Sequence, residues 1–346
     1  MTESQKELIA VEVIRTLYSQ FDKFPGEEIN NRNAPFHEAF LNAFTGELEG
    51  KVASIPIFIS LASWMHGLNT SLGQSFLEKT SHILSHGQKK EFTNAKRNLL
   101  KISSNQRLII NNVITELSNG DRIPDRQLEN DIFVSENNLD IDATEFTVDI
   151  FIEDSQQITC IELKTVKPNK GIFKVEKQKI LEAIIALKNK YPDKSINYFL
   201  GFPFDPLSDA PTGYDKSRYM DYSVGFRKYF AENEFLLSAE LWNYLSGENG
   251  TMEYILEIIN IIATPDFLEI FDFINDFSNI KKDKEKYIRS LKYWSLYSNV
   301  EIAENIDVIE QKLSSDRKLQ RYLNQNLFDN NISFRTDRAI YLKTFL

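Results

Sequence analysis

FTVDIFIEDSQQITCIELKTVKPNKG, Phe146 to Gly171, decides the fold. Two β-rich runs flank the turn-like EDSQQ, the pattern of a hairpin. Side chains alternate faces along a strand, so Cys160, Glu162 and Lys164 share one face while Ile161 and Leu163 take the other. The first run carries Asp149 between Val148 and Ile150. A hairpin turning at 154–157 brings Asp149 near the level of Glu162 and Lys164. Two carboxylates and one ammonium then converge at the end of an apolar strand, where buried charge is costly unless it is used.

Neighbouring carboxylates repel and raise each other's pKa. A divalent cation resolves the conflict, and Mg2+ takes one or two carboxylates plus water and phosphate oxygens. A lysine beside it can hold an attacking water and offset charge growing on phosphorus. The acid-x-Lys triplet alone is weak: it recurs at Glu49–Lys51, Glu310–Lys312 and Asp316–Lys318. Only Glu162–Lys164 closes a β-rich run with a strand-embedded Asp one hairpin upstream.

Working outward, Phe173 to Lys190 reads as a helix ending before Pro192. SINYFLGF, Ser195 to Phe202, reads as a central strand because it is almost continuously apolar. PFDPLSDAPTG follows as a loop, and from about 215 the chain reads as helical. Upstream, helices are expected at about 5–22, 35–45, 56–66 and 70–85, with GLNTSLG breaking the last two, and at 105–118. The fold class is therefore mixed α/β: a small mixed sheet flanked by helices. The expected organisation is a helical N-terminal region (1–100), a core (101–235) and a helical C-terminal region (236–346), as separate parts or one continuous domain.

The 346 residues are 42% hydrophobic and 26% charged, with a net charge of −10. That charge argues against coating nucleic acid by bulk electrostatics, but not against a local binding site. Cys160 is the one cysteine, so no internal disulfide forms and a reducing cytosol fits. It reads as a small buried filler. The N-terminus lacks signal-peptide features, and the uncharged stretch Val52–Leu77 is too polar to span a membrane. No phosphate-binding G-x-x-x-x-G-K-[ST] motif occurs, so no nucleotide cofactor is expected. His82 and His86, four apart, read as a helix-surface pair.

Asp149, twelve intervening residues and Glu162-x-Lys164, with Val148 where a proline often stands, resembles the PD-(D/E)xK nuclease signature. The order helix, hairpin, helix, strand resembles that fold's core. Together with FHEAFLNAF and IELKTVKPNKG, the chain is most similar to type II restriction endonucleases of the TdeIII-like kind. The resemblance implies Asp149 and Glu162 as metal ligands, Lys164 as catalytic lysine and Mg2+ as cofactor. It also implies cleavage of double-stranded DNA at a short specific site by a homodimer, which the reducing cytosol suggested by the cysteine count would place in the cytoplasm. Members often add an acid from the preceding helix, for which Glu116 is the candidate, an ordinary exposed helix glutamate being the alternative.

Lys164 to Lys190 holds eight lysines against Glu176 and Glu182, a local excess of +6 in 27 residues. Lys167, Lys170, Lys174 and Lys177 are candidates for phosphate contacts. A weaker basic stretch runs through Lys89, Lys90, Lys96, Arg97, Lys101 and Arg107. In TGYDKSRYMDYSVGFRKYF, Lys216, Arg218 and Arg227 are candidates for DNA contact, interleaved with aromatics that equally suit a helix packing inward. Three functions stay open: a restriction endonuclease, a structure- or end-specific repair or recombination nuclease, and a non-catalytic DNA-binding module.

Overall fold

The computed structural model describes residues 1–21, 23–25, 37, 39, 41–52, 54–132, 138–164, 172–312 and 317–346. It forms two compact units, Met1–Phe76 with Ile255–Leu346, and Leu77–Tyr254.

The first unit is helical. It holds α1 (Glu3–Phe21), α2 (Ile55–Ser71) and the helices that follow Ile255. The Ser54 hydroxyl caps α2 by accepting from Ile57 N–H. The expected break at GLNTSLG is absent. Helix α2 runs through Gly67 to Ser71, and a π-turn, Leu72–Phe76, follows. Turn residues on a helix face are tolerated when the ladder remains closed. Part of the helix expected at 35–45 lies outside the described residues.

The second unit carries the sheet. Helix α3 (Leu77–Ser85) leads into β1 (Gln88–Phe92), followed by α4 (Ser104–Asn119) and α5 (Arg126–Ile132). Strands β2 (Phe146–Glu153) and β3 (Gln157–Leu163) form the expected hairpin. Helix α6 (Ile172–Lys190) crosses to β4 (Ser195–Phe202); α7 (Lys216–Tyr222), β5 (Phe235–Leu237) and α8 (Ala239–Ser246) complete it. The five strands of this sheet lie in chain order, the pairs β1–β2 and β2–β3 antiparallel, β3–β4 and β4–β5 parallel. This is the mixed sheet flanked by helices that the sequence pattern implies.

Helix α4 is fixed by a reciprocal cap, Ser103 with Gln106, and stops at Gly120, whose φ of 84° only glycine adopts at little cost. The face of β3 and β4 that shows Cys160, Tyr198, Leu200 and Phe202 is buried with Phe173, Ile180 and Leu187 of α6. Phe173 stacks on Phe226 at 4.5 Å, and Phe202, Tyr219, Phe230 and Phe235 surround that pair. Such pairs add about 0.5–1.5 kcal/mol each beyond area burial, so the aromatic cluster anchors the β4–β5 end of the sheet. Helix α8 lies on the other face, where Leu241 approaches Gly201, Ile161 and Leu163.

Candidate active site

The β2–β3 ladder pairs Ile150 with Ile161, and the next step in register sets Asp149 level with Glu162. On its other edge β2 is irregular. Gln88 pairs with Phe151 but Lys90 with Val148, so Asp149 and Ile150 together face Lys89. This is a β-bulge, which bends the strand and re-aims a side chain. The re-aimed Asp149 Oδ2 accepts from Leu163 N–H at 2.9 Å, a side chain standing in for a rung of the ladder. His82 Nε2, from α3, donates to Asp149 O at 2.7 Å and fixes the same peptide from outside. His82 therefore holds the bulge, while His86 lies beyond the end of α3 and shares no helix face with it.

Glu162 Oε1 accepts from Lys164 Nζ at 3.1 Å and from Lys179 Nζ at 3.2 Å. Glu162 Oε2 is buried with no hydrogen-bond partner among the described residues. Lys164 Nζ also stands 3.1 Å from Glu176 Oε1, so α6 and β3 hold its ammonium between two carboxylates. Burial alone would lower the Lys164 pKa, but Glu162 and Glu176 outweigh it and raise it. Lys164 is a firmly protonated cation. Burial pushes the Asp149 carboxyl above its ordinary range, and the charge of Glu162 adds to the rise; Leu163 N–H and Lys89 pull the other way.

Further charged groups, which no sequence pattern marks, surround these residues. Lys89 Nζ lies 3.3 Å from Glu78 Oε1 and 3.9 Å from Asp149 Oδ1. Glu78, in the first turn of α3, is thus the helix acid that looks onto Asp149. Glu116, the sequence candidate, pairs instead with Arg122 at 2.7 Å, with a side chain 44% exposed, and no described contact joins it to Asp149 or Glu162. The reason is topological: β1 follows α3 directly and pairs with β2, so α3 is the helix delivered to the bulge. Tyr198, opposite Cys160 on β4, has a buried hydroxyl without a described partner, and burial followed by the charge of Glu162 raises its pKa well above the usual value. Cys160 is fully buried, and burial pushes its thiol up, so it is neutral and inert as a nucleophile.

The basic candidates divide. Lys167 and Lys170 lie outside the described residues. Lys174 is exposed on the first turn of α6. Lys177 leaves the set of phosphate contacts: its side chain is 0% exposed, and its ammonium lies 2.5 Å from both Glu129 and Glu234. Lys216 also turns inward, donating to Phe235 O at 2.8 Å and pairing with Glu240. Arg218 is half exposed, 3.5 Å from Asp205, and Arg227 is exposed but bound to Asp221 and Ser217. Tyr219, Phe226 and Phe230 are buried and pack inward as core, whereas Tyr214 of the same segment is exposed. Lys89, Lys90, Lys96 and Arg97 line an open recess of about 570 Å³ beside the bulge.

Among the described residues no three His, Cys, Asp or Glu side chains cluster closely enough to hold a metal ion by themselves. No described helix is long and apolar enough to cross a membrane. The arrangement suits phosphodiester chemistry with a phosphate supplying part of an ion's shell.

A family model described as type II restriction endonuclease, HinfI, matches residues 1–263. The type II restriction enzyme MjaII of Methanocaldococcus jannaschii is 42% identical over 355 aligned positions, spanning 96% of this chain and 95% of that enzyme. With a mixed sheet whose central hairpin ends in two acids and a lysine, and a match of this extent, the chain belongs to the HinfI-type family of type II restriction endonucleases.

Proposed function

We propose that this restriction endonuclease cuts DNA at a PD-(D/E)xK centre formed by Asp149, Glu162 and Lys164, with Mg2+ as cofactor. One observation carries the reading: the bulge and the hairpin register bring Asp149 level with Glu162 and Lys164, with one Glu162 oxygen buried and unpartnered. The residues fit a hard cation. Asp149 Oδ1 and Glu162 Oε2 offer oxygens that no described hydrogen bond satisfies, and Mg2+ needs no more than two carboxylates when phosphate and water complete its shell. When bound, the ion supplies Lewis acidity toward the scissile phosphate.

The chain's own groups do the rest. The Lys164 ammonium, held between Glu162 and Glu176, is placed to donate to the attacking water or to a phosphate oxygen. Glu176 keeps that ammonium aimed when Glu162 turns its charge elsewhere. Leu163 N–H and His82 lock Asp149 before substrate arrives, which is the preorganisation that electrostatic catalysis requires. Glu78 replaces Glu116 as the proposed helix acid. Lys174, Arg218 and Arg227, with Lys167 and Lys170, are the proposed contacts to double-stranded DNA. One such centre cuts one strand, so a cytoplasmic homodimer is the proposed working form. The finer likeness to TdeIII rests on sequence phrases alone, and part of FHEAFLNAF lies outside the described residues.

The test is digestion of plasmid DNA with Mg2+. Discrete fragments are expected from the wild-type chain, and Lys164→Ala should bind the same DNA without cutting. Cutting by Lys164→Ala at the wild-type rate overturns the assignment.

A further inference from the structure

Strand β3 and helix α6 meet through a crossed pair of acids and lysines. Glu162 and Lys164, two apart where the strand ends, face Glu176 and Lys179, three apart on one helix face. The acid of α6 takes the lysine after β3, with Glu176 Oε1 3.1 Å from Lys164 Nζ. The lysine of α6 takes the acid of β3, with Lys179 Nζ 3.2 Å from Glu162 Oε1. Lys164 Nζ lies 3.1 Å from that same Glu162 oxygen. Both ammonium groups therefore stand on Oε1 and leave Oε2 without a described partner. They differ in what remains of each. Lys164 has two carboxylates, whereas Lys179 has one, shared with Lys164. An ammonium has three N–H donors, so Lys164 keeps one and Lys179 two with no described acceptor. The Lys179 side chain is 25% exposed. A second cation on an oxygen that already holds one adds repulsion, which an arriving anion relieves.

We propose that Lys179 is a second catalytic lysine: without leaving Glu162, its ammonium donates to a non-bridging oxygen of the scissile phosphate. The inference rests on the assignment of Asp149, Glu162 and Lys164 as the cutting centre. Charge matching supports it. Asp149, Glu162 and Glu176 are three carboxylates, and Lys164 and Lys179 are two ammonium groups. Glu78 and Lys89 cancel as a pair. One divalent ion on the carboxylates then leaves the centre with a single positive charge, the complement of one phosphodiester. Without Lys179 the same centre is neutral and has no net attraction for its substrate. The two lysines also divide the work. Lys164 is clamped between two carboxylates, and its one remaining N–H suits the attacking water. Lys179 hangs from one oxygen on a flexible four-carbon stem, and its two remaining N–H groups suit the phosphate. Attack by water loads negative charge onto the non-bridging oxygens, so a donor already in place there acts most strongly in the transition state. Lys179 transfers no proton in this role and only donates hydrogen bonds.

A binding readout beside the rate distinguishes a phosphate contact from a merely structural one. Lys179→Gln and Lys179→Arg, each checked for folding by a circular-dichroism melt, are compared with wild type. The substrate is a duplex spanning a cut site located by sequencing plasmid fragment ends. Single-turnover cleavage in Mg2+ should fall about 10²-fold in Lys179→Gln, the usual effect of removing one donor from a developing charge. In Ca2+, the slope of log affinity against log salt should flatten by about one, because one phosphate contact is gone. Lys179→Arg keeps the cation, so it should hold the wild-type slope and recover most of the rate. A Lys179→Gln rate within twofold of wild type overturns the inference. So does a loss of rate with the slope unchanged, because Lys179 would then only hold Glu162 in place. An arginine variant as slow as the glutamine one overturns it too. Lys164→Ala separates the two levels. If it cuts at the wild-type rate, the centre falls and the second lysine with it. If it is inactive while Lys179→Gln keeps both rate and slope, only the second lysine is refuted.

Discussion

Gly201→Ala is the substitution whose effect the structure defines most sharply. Gly201 lies opposite Leu163 in the β3–β4 ladder, and its carbonyl accepts from Lys164 N–H at 2.8 Å. A Cβ added there would stand 2.9 Å from Ile161 Cγ2, 3.2 Å from Leu163 Cδ2 and 3.3 Å from Leu241 Cδ1. Carbon atoms settle at about 3.5–4.0 Å, so β3 must retreat by roughly 0.5–1 Å or α8 must shift. Overpacking of this kind costs about 1–3 kcal/mol. Alanine returns about 0.5–1 kcal/mol through the smaller entropy of the unfolded chain. The net is destabilising, and melting should fall by a few degrees, at about 2–4 °C per kcal/mol for a unit of this size. The larger effect is on catalysis. The strand that must move carries Leu163 N–H, which holds Asp149, and carries Glu162 and Lys164 on its other face. A displacement near 1 Å costs up to about 10²-fold in rate, so single-turnover cleavage should fall tenfold or more. DNA affinity measured in Ca2+ should barely change. Single-turnover rates within twofold of wild type, with an unchanged melting temperature, would show that the strand end tolerates displacement and would refute this reasoning.

Asp149→Asn should raise the melting temperature of the metal-free chain at pH 7–8 while abolishing cleavage. The folded pKa of Asp149 is raised, so its contribution to stability is present at low pH and is lost as pH rises through that value; the gain from Asn should vanish on acidification. Melting curves across pH that show no gain at neutral pH would contradict this. Lys177→Met should cost about 3–5 kcal/mol by denaturant unfolding, because it leaves Glu129 and Glu234 buried and facing each other. Glu129→Gln should be neutral or stabilising, since burial raises its pKa and the trio carries one excess negative charge. Phe226→Ala, at the centre of the aromatic cluster, should cost about 3–5 kcal/mol, and a smaller loss would mean the cluster collapses onto the gap.

The hairpin was legible because its signal is local. Period-two alternation and a turn place Asp149, Glu162 and Lys164 on one level without knowledge of the rest. Strand β1 was not legible. QKKEF is polar at four of five positions because it is an edge strand, and its apolar content is one phenylalanine. Without β1, the sequence does not reveal α3 as the adjacent helix, nor Glu78, His82 and Lys89 beside the site; it points to Glu116 because α4 is the last long helix before the hairpin. The three-residue β5 escaped for want of length. Lys177 misled for another reason. On an amphipathic helix a lysine reads as solvated, and only two partners far away in sequence, on α5 and before β5, make it a core residue. Lys216 is similar, since its acceptor belongs to β5. Contacts set by topology leave no periodic trace.

Cys160 offers a use unrelated to cleavage. It is the chain's one cysteine, fully buried in the middle of β3 two residues from Glu162. In the native state a thiol reagent has no path to it, and the neutral thiol is a poor nucleophile. The rate of labelling therefore reports how often the sheet opens beneath the site. Without any engineered probe, the wild-type chain carries a clock for its own core, read with DNA or Ca2+ present or absent.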